Sequence, residues 1–119
     1  MKENWAEESY TFDKYQEIAH STSLNTSING NEVIYPVLGL ADEAGEVVGK
    51  FKKLYRDKNG VIDEEFKKVI IKELGDCAWY VAEICTKMNI KLSVVASENL
   101  KKLLDRKERN KLRGSGDER

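Results

Sequence analysis

Four carboxylates stand in two pairs of identical spacing, Glu43 with Glu46 and Glu73 with Asp76. Three residues is nearly one helical turn, so the two side chains of a pair leave a helix on neighbouring bearings. With Glu73 as origin, Asp76 falls at about −60°, Val69 at about −40°, Tyr80 at about −20° and Phe66 and Ile84 at about +20°. Glu73 therefore lies inside the apolar arc of its helix, with Asp76 at the edge. Glu43 and Glu46 likewise border a stripe of Leu40, Val47, Val48, Phe51 and Leu54. A carboxylate that faces a core has to be paired, protonated or bound to a metal. Antiparallel packing through the two stripes brings four like charges together, each close pair repelling by roughly 1 to 4 kcal/mol. A cation offsets that repulsion. Oxygen-only ligands select hard ions, so Mg²⁺ is the expected cofactor and Mn²⁺ its substitute, with waters and substrate phosphates completing the shell. The competing explanation is ordinary ion pairing, of Glu46 with Lys50 and of Glu73 with Lys72 or Lys101.

The elements that position these groups read as helices. The 119 residues contain one proline, and Ala, Leu, Glu and Lys dominate, a composition that favours helices. Apolar spacing predicts a first helix over about 11–21, with Thr11 as its N-cap and Phe12, Tyr15, Ile18 and Ala19 on one face. A polar loop follows over 22–32. A second helix is expected from about 36, where Pro36 suits a first turn, to about 56, ahead of the turn signal Asp57-Lys58-Asn59-Gly60. A third runs over about 63–88 and a fourth over about 93–110, with a flexible basic and glycine-bearing tail over about 111–119. The expectation is one all-α domain over 1–119, four-helix bundle-like.

Composition excludes several functions. Twenty Lys and Arg against 21 Asp and Glu leave a formal charge of −1, with a pI of about 5.9 and a mean hydropathy of −0.58. No nucleic-acid polymer is expected as a partner, because such domains are clearly basic. No stretch approaches the roughly 18 to 20 apolar residues that span a bilayer. The acidic start lacks the apolar run of a secretory signal, so a cytoplasmic location is expected. Cys77 and Cys85, eight apart on one helix, have Cα atoms about 12 Å apart, too far for a disulfide. No thiolate zinc site is expected either.

The strings Gly39-Leu40-Ala41-Asp42-Glu43-Ala44-Gly45-Glu46-Val47 and Lys72-Glu73-Leu74-Gly75-Asp76-Cys77-Ala78-Trp79-Tyr80 resemble the MazG-like nucleoside triphosphate pyrophosphohydrolases. The signature of that family is Glu-x-x-Glu, a gap, then Glu-x-x-Asp. The resemblance extends to Tyr15-Gln16-Glu17, to Asn99-x-x-Lys102-Leu103-x-x-Arg106 and to the closing Gly-Ser-Gly-Asp-x-Arg. It implies the all-α NTP pyrophosphatase fold, assembled as a homodimer or homotetramer, that hydrolyses a nucleoside triphosphate to monophosphate and pyrophosphate. It further implies Glu43, Glu46, Glu73 and Asp76 as Mg²⁺ ligands.

The chemistry then assigns roles. Metal ions offset the triphosphate's charge and lower the pKa of an attacking water. Glu46 is the first choice for taking its proton and Glu43 the second. Lys102 and Arg106, one turn apart on helix four, match the family's Lys-Leu-x-x-Arg element and are placed to grip phosphate oxygens. They otherwise belong to a solvated helix end. Asn99 of the same element holds a ribose or phosphate, or caps a neighbouring backbone. Tyr80 reaches a phosphate or a metal ligand, or packs as a core tyrosine with a wet tip. Trp79, opposite the apolar arc, is expected at a subunit interface. Tyr15, Gln16, Trp5 and the loop over 22–35 are the base-pocket candidates, Gln16 by edge recognition. His20 reads as a surface or capping residue. The tail over 114–119 closes over the phosphates or is a loose end. Lys50 and Lys53, beside the first acidic pair, either balance its charge or touch pyrophosphate. The rival readings are a dimeric all-α dUTPase-type enzyme and a non-catalytic helical interaction module.

Overall fold

A computed structural model describes residues 9–119; Trp5 lies outside the described residues. Four helices follow one another, α1 Phe12–His20, α2 Ile34–Lys58, α3 Glu64–Lys87 and α4 Leu92–Glu108. Among the described residues there is no strand beyond one isolated bridge between Ile28 and Asn31. The chain is all-α, as its sequence implies. No helix of the described residues is long and apolar enough to cross a membrane.

Local chemistry sets the boundaries. Thr11 caps α1 by accepting from the Lys14 backbone N–H at 3.0 Å, and Asp63 caps α3 by accepting from that of Phe66 at 2.8 Å. α2 starts two residues before the expected position and carries Pro36 inside its first turn, where a missing N–H costs nothing. It stops at Asn59 and Gly60, both at positive φ. A side chain on Gly60 would meet the Tyr55 ring at 2.6 Å, so the reversal needs glycine twice over.

α2 and α3 form an antiparallel hairpin. Phe51 meets Phe66 edge to face at 5.0 Å, Lys50 meets Glu73, and Tyr35 meets Tyr80 at 6.4 Å; each step back along α2 is a step forward along α3. Gly39 makes room for the Tyr80 ring, which a Cβ there would strike at 2.2 Å.

α1 lies across α3 and supports α4. Among the described residues, the fully buried apolar set is small: Ala19, Leu54, Ala82, Cys85, Leu92 and Pro36. Cys77 and Cys85 are free. Polar contacts therefore carry much of the positioning. The amide of Gln16 donates to Thr86 Oγ1 at 3.2 Å and to the Ile90 carbonyl at 2.9 Å, and its oxygen accepts from the Leu92 N–H at 2.8 Å. Asp13 accepts from the Ser93 backbone N–H at 3.1 Å and from its hydroxyl at 2.8 Å. α4 has no cap of its own at Lys91; α1 supplies it from about 80 residues away in sequence. The Ser93 hydrogen bonds hold the Asp13 carboxyl below its ordinary range, so this contribution is present above that range and is lost as the pH falls through it.

Gln16, expected as a base reader, makes a different set of contacts in this structure. Both ends of its amide are committed to the α3–α4 corner, where it braces the fold. Gln16→Ala is expected to lower unfolding free energy by about 1 to 3 kcal/mol, because it strips the partner from the N–H of buried Leu92. Urea unfolding followed by circular dichroism checks this, and a loss under about 0.5 kcal/mol contradicts it.

Candidate functional site

At mid-hairpin Glu43 from α2 and Glu73 and Asp76 from α3 turn carboxylates toward one another, with one oxygen of each within 4.8 Å of the others. Glu43 and Glu73 are half-buried and Asp76 is exposed. Partial burial, and then the charges of Asp76, Asp42, Glu73 and Glu46, push the Glu43 carboxyl above its ordinary value. The Cys77 thiol, on the same stretch of α3, is pushed up by burial and then by Glu43, Asp76 and Glu73. The Tyr80 phenol is raised by burial, by its hydrogen bond with Tyr35 and by the nearby charges of Tyr35, Glu43 and Asp42. Burial is the first cause at all three groups, and the clustered acidic charges add to it. Lys50 is the one cation paired with any of the three carboxylates among the described residues, at 3.5 Å from Glu73. An all-oxygen donor set with a net charge of about −2 fits a hard divalent cation.

Glu46, expected as a fourth member, is exposed one turn further along α2 and stands outside this cluster. Its bearing explains this, since it sits on the side of Glu43 away from the apolar stripe that faces α3.

The carboxylates open into a cleft of 330 Å³ lined by Glu43, Asp76, Trp79 and Tyr80. Trp79 and Tyr80 also line an adjoining cavity of 180 Å³ under the loop between α1 and α2, with Tyr35, Asn25, Glu32, Glu83 and Lys87 among its walls. The Trp79 indole packs edge to face on Tyr80 at 5.0 Å. Its N–H donates to the Ala19 carbonyl at 3.1 Å and to Thr22 Oγ1 at 2.9 Å. α1 gives the Trp79 N–H a partner within the chain.

Sequence reasoning missed the polar floor of that cavity. Glu83 is 2% exposed; the His20 Nδ1 lies 3.1 and 3.2 Å from its two oxygens and Lys87 Nζ 3.8 Å from one of them. Lys87 continues the chain to Glu32 at 3.1 Å and to the Asn25 side chain, so it ties the loop to α3. His20 is a partner of a buried acid rather than a surface cap. The available signal was an acidic residue set in the apolar run Ala82, Ile84 and Cys85.

On α4, Lys102 and Arg106 are committed elsewhere in this structure. Asp117 Oδ1 lies 3.2 Å from Lys102 Nζ and 3.4 Å from Arg106 Nη2, and Arg106 also donates to the Asp117 carbonyl at 2.7 Å. Arg106 is 3% exposed. The two cations hold the Asp117 carboxyl below its ordinary range. The tail thus folds back on α4, fastened also by Arg109 to the Arg119 carbonyl at 2.9 Å, instead of trailing free. α4 packs against α1, and Asn99 sits exposed on it.

The MazG nucleotide pyrophosphohydrolase domain matches residues 35–110, a span that holds all three clustered carboxylates. The Gene 37 protein of Mycobacterium phage L5 is 41% identical over 111 residues, covering 90% of this chain and 97% of its own length. No solved structure matches.

Proposed function

The chain belongs to the MazG nucleotide pyrophosphohydrolase family, and from that premise we propose that it hydrolyses nucleoside triphosphates, deoxynucleoside triphosphates foremost, to the monophosphate and pyrophosphate with Mg²⁺. Its role on this reading is to cleanse or balance a nucleotide pool. The observation that carries the reading is the convergence of Glu43, Glu73 and Asp76 from two facing helices.

When bound, a divalent cation offsets triphosphate charge and acidifies the attacking water. Glu43, Glu73 and Asp76 hold it, and Mn²⁺ is an acceptable substitute because the donors are all oxygens. Glu46, one turn from Glu43 and exposed, is the group free to complete the set or to take the proton of the attacking water, with Glu43 the second choice. The Tyr80 phenol borders the same cleft and is placed to orient a phosphate. Lys102 and Arg106 meet phosphates once Asp117 gives way, since a triphosphate is a stronger anion than one carboxylate; Asn99 accompanies them on α4. The cavity shared by Trp79 and Tyr80 is the place for the base. Incubation with each NTP and dNTP and with dUTP, followed by ion-exchange analysis, is expected to give monophosphate and pyrophosphate with Mg²⁺ and neither with EDTA. Turnover that ignores EDTA contradicts the reading.

The working form is a homodimer or homotetramer. Val48 is 67% exposed, Tyr55 69%, Ile71 65% and Leu74 52%, which places large apolar groups along the outside of the hairpin, a pattern that marks a contact surface. The radius of gyration, 17.3 Å, exceeds the about 13 Å of a compact monomer of this length. Light scattering after gel filtration is expected to give two or four times the 13.6 kDa chain mass, and Ile71→Glu to shift it toward the monomer. A wild-type monomer contradicts this assembly.

A further inference from the structure

We propose that Lys50 receives the pyrophosphate side of the substrate, an assignment that rests on the function just given. Lys50 stands two turns beyond Glu43 on α2, with its Nζ 3.5 Å from Glu73 Oε1 and the two side chains 33% and 16% exposed. The pair is loose and partly wet, so Lys50 is held but movable. Were Glu73 to hold a divalent ion, like charge would release the Lys50 ammonium from it.

Lys50 also borders open space away from the carboxylates. It lines a cavity of 280 Å³ at the closed end of the hairpin together with Lys53 and Lys58. Of the acids around that cavity, Asp57 is neutralised by Arg56 at 2.8 and 2.9 Å and Asp63 is turned onto the Phe66 N–H. Lys53 and Lys58 form no ion pair among the described residues. With the Arg56 guanidinium beside Asp57, the space beyond Lys50 has four cationic groups against the carboxylates of Asp57, Asp63 and Glu65, a small positive excess that suits an anion. The aromatic cavity of Tyr35, Trp79 and Tyr80 lies on the opposite side of the carboxylates. A nucleotide laid along the hairpin has its nucleoside at the Trp79 end and its outer phosphates toward Lys50.

In the reaction the water oxygen bonds to the α-phosphorus, and the bond from that phosphorus to the α,β-bridging oxygen breaks. The electron pair stays on the bridging oxygen of pyrophosphate, and the proton of the water passes to a carboxylate of the cluster. Lys50 remains protonated and donates a hydrogen bond to the new oxyanion, which is where charge grows and a placed donor counts most.

Two variants of the full chain, Lys50→Gln and Lys50→Arg, test this with readouts that move in opposite directions. Paramagnetic titration of nucleotide-free protein with Mn²⁺ is expected to show Lys50→Gln binding about threefold to tenfold tighter, because a competing cation is gone. Product inhibition by pyrophosphate is expected to weaken about tenfold in the same variant, and kcat to fall about a hundredfold with little change in KM. Lys50→Arg is expected to keep pyrophosphate inhibition near wild type. Unchanged or weaker Mn²⁺ binding in Lys50→Gln, or unchanged pyrophosphate inhibition, overturns the assignment. Wild-type protein that binds Mn²⁺ yet releases no pyrophosphate from any nucleotide overturns the function itself, a distinct failure.

Discussion

Glu73→Gln and Asp76→Asn are each expected to lower turnover about a thousandfold, equivalent to about 4 kcal/mol of transition-state stabilisation, while the protein stays folded. Each change removes a charged oxygen from a three-carboxylate cluster without altering volume. The same cluster predicts a stability effect of opposite sign. The Glu43 carboxyl is held above its ordinary 4.5, first by partial burial and then by its acidic neighbours. A carboxyl raised on folding contributes stability that is complete below its ordinary range and is lost as the pH rises through the folded value. Near neutral pH the metal-free chain therefore carries the full repulsion. Glu43→Gln is expected to raise the metal-free Tm at neutral pH and to flatten its decline as the pH rises out of the carboxylate range. Mg²⁺ or Mn²⁺ is expected to raise the wild-type Tm and to leave that of the variants nearly unmoved. Scanning calorimetry with and without metal, beside steady-state assays, checks both halves. Variants that unfold while activity per folded molecule stays normal contradict the metal assignment.

The second large effect concerns Glu83. It is 2% exposed and holds His20 on α1 while it faces Lys87, which in turn holds Glu32 and Asn25 of the loop. Breaking a buried charge pair from one side strands the partner, at a cost of about 3 to 5 kcal/mol. Glu83→Ala is expected to fall at the lower end of that range, because Lys87 keeps Glu32 and His20 is 40% exposed. Glu83→Gln retains hydrogen bonding and is expected to lose less than Glu83→Ala. Equilibrium unfolding in urea reads the ranking. Equal losses for the two variants show that volume, and not the polar network, is what Glu83 supplies. A fall in substrate affinity beyond the loss of stability is expected as well, since the loop that Lys87 anchors covers the cavity beside Trp79 and Tyr80.

How much of this was legible in the sequence follows from how far each signal reaches. The helices were legible because their signals are local: Thr11 and Asp63 as caps, Pro36 in a first turn, Asn59 and Gly60 at a reversal. The bearings of Glu43, Glu73 and Asp76 were legible because 100° per residue places each against its own helix's apolar arc. Glu46 shows the limit of that reasoning. Pair spacing makes it a twin of Asp76, yet its bearing leaves it outside the cluster. Interactions between distant segments were not legible. Nothing near Gln16 or Asp13 announces that they cap a helix starting at Leu92, and the wheel that placed Trp79 outside an arc on α3 carries no information on α1, which covers its N–H. The tail's glycines suggested mobility; Asp117, Arg106 and Arg109 supply contacts that no composition reveals.

The position of attack tests the central claim most directly. Hydrolysis of a deoxynucleoside triphosphate in water enriched in oxygen-18, with Mg²⁺ present, followed by mass spectrometry of the products, shows which phosphorus the water reached. Attack at the α-phosphorus predicts one heavy oxygen in the nucleoside monophosphate and none in pyrophosphate, with no label in either when EDTA is present. Label in pyrophosphate, or release of single phosphate with a diphosphate left behind, contradicts the account.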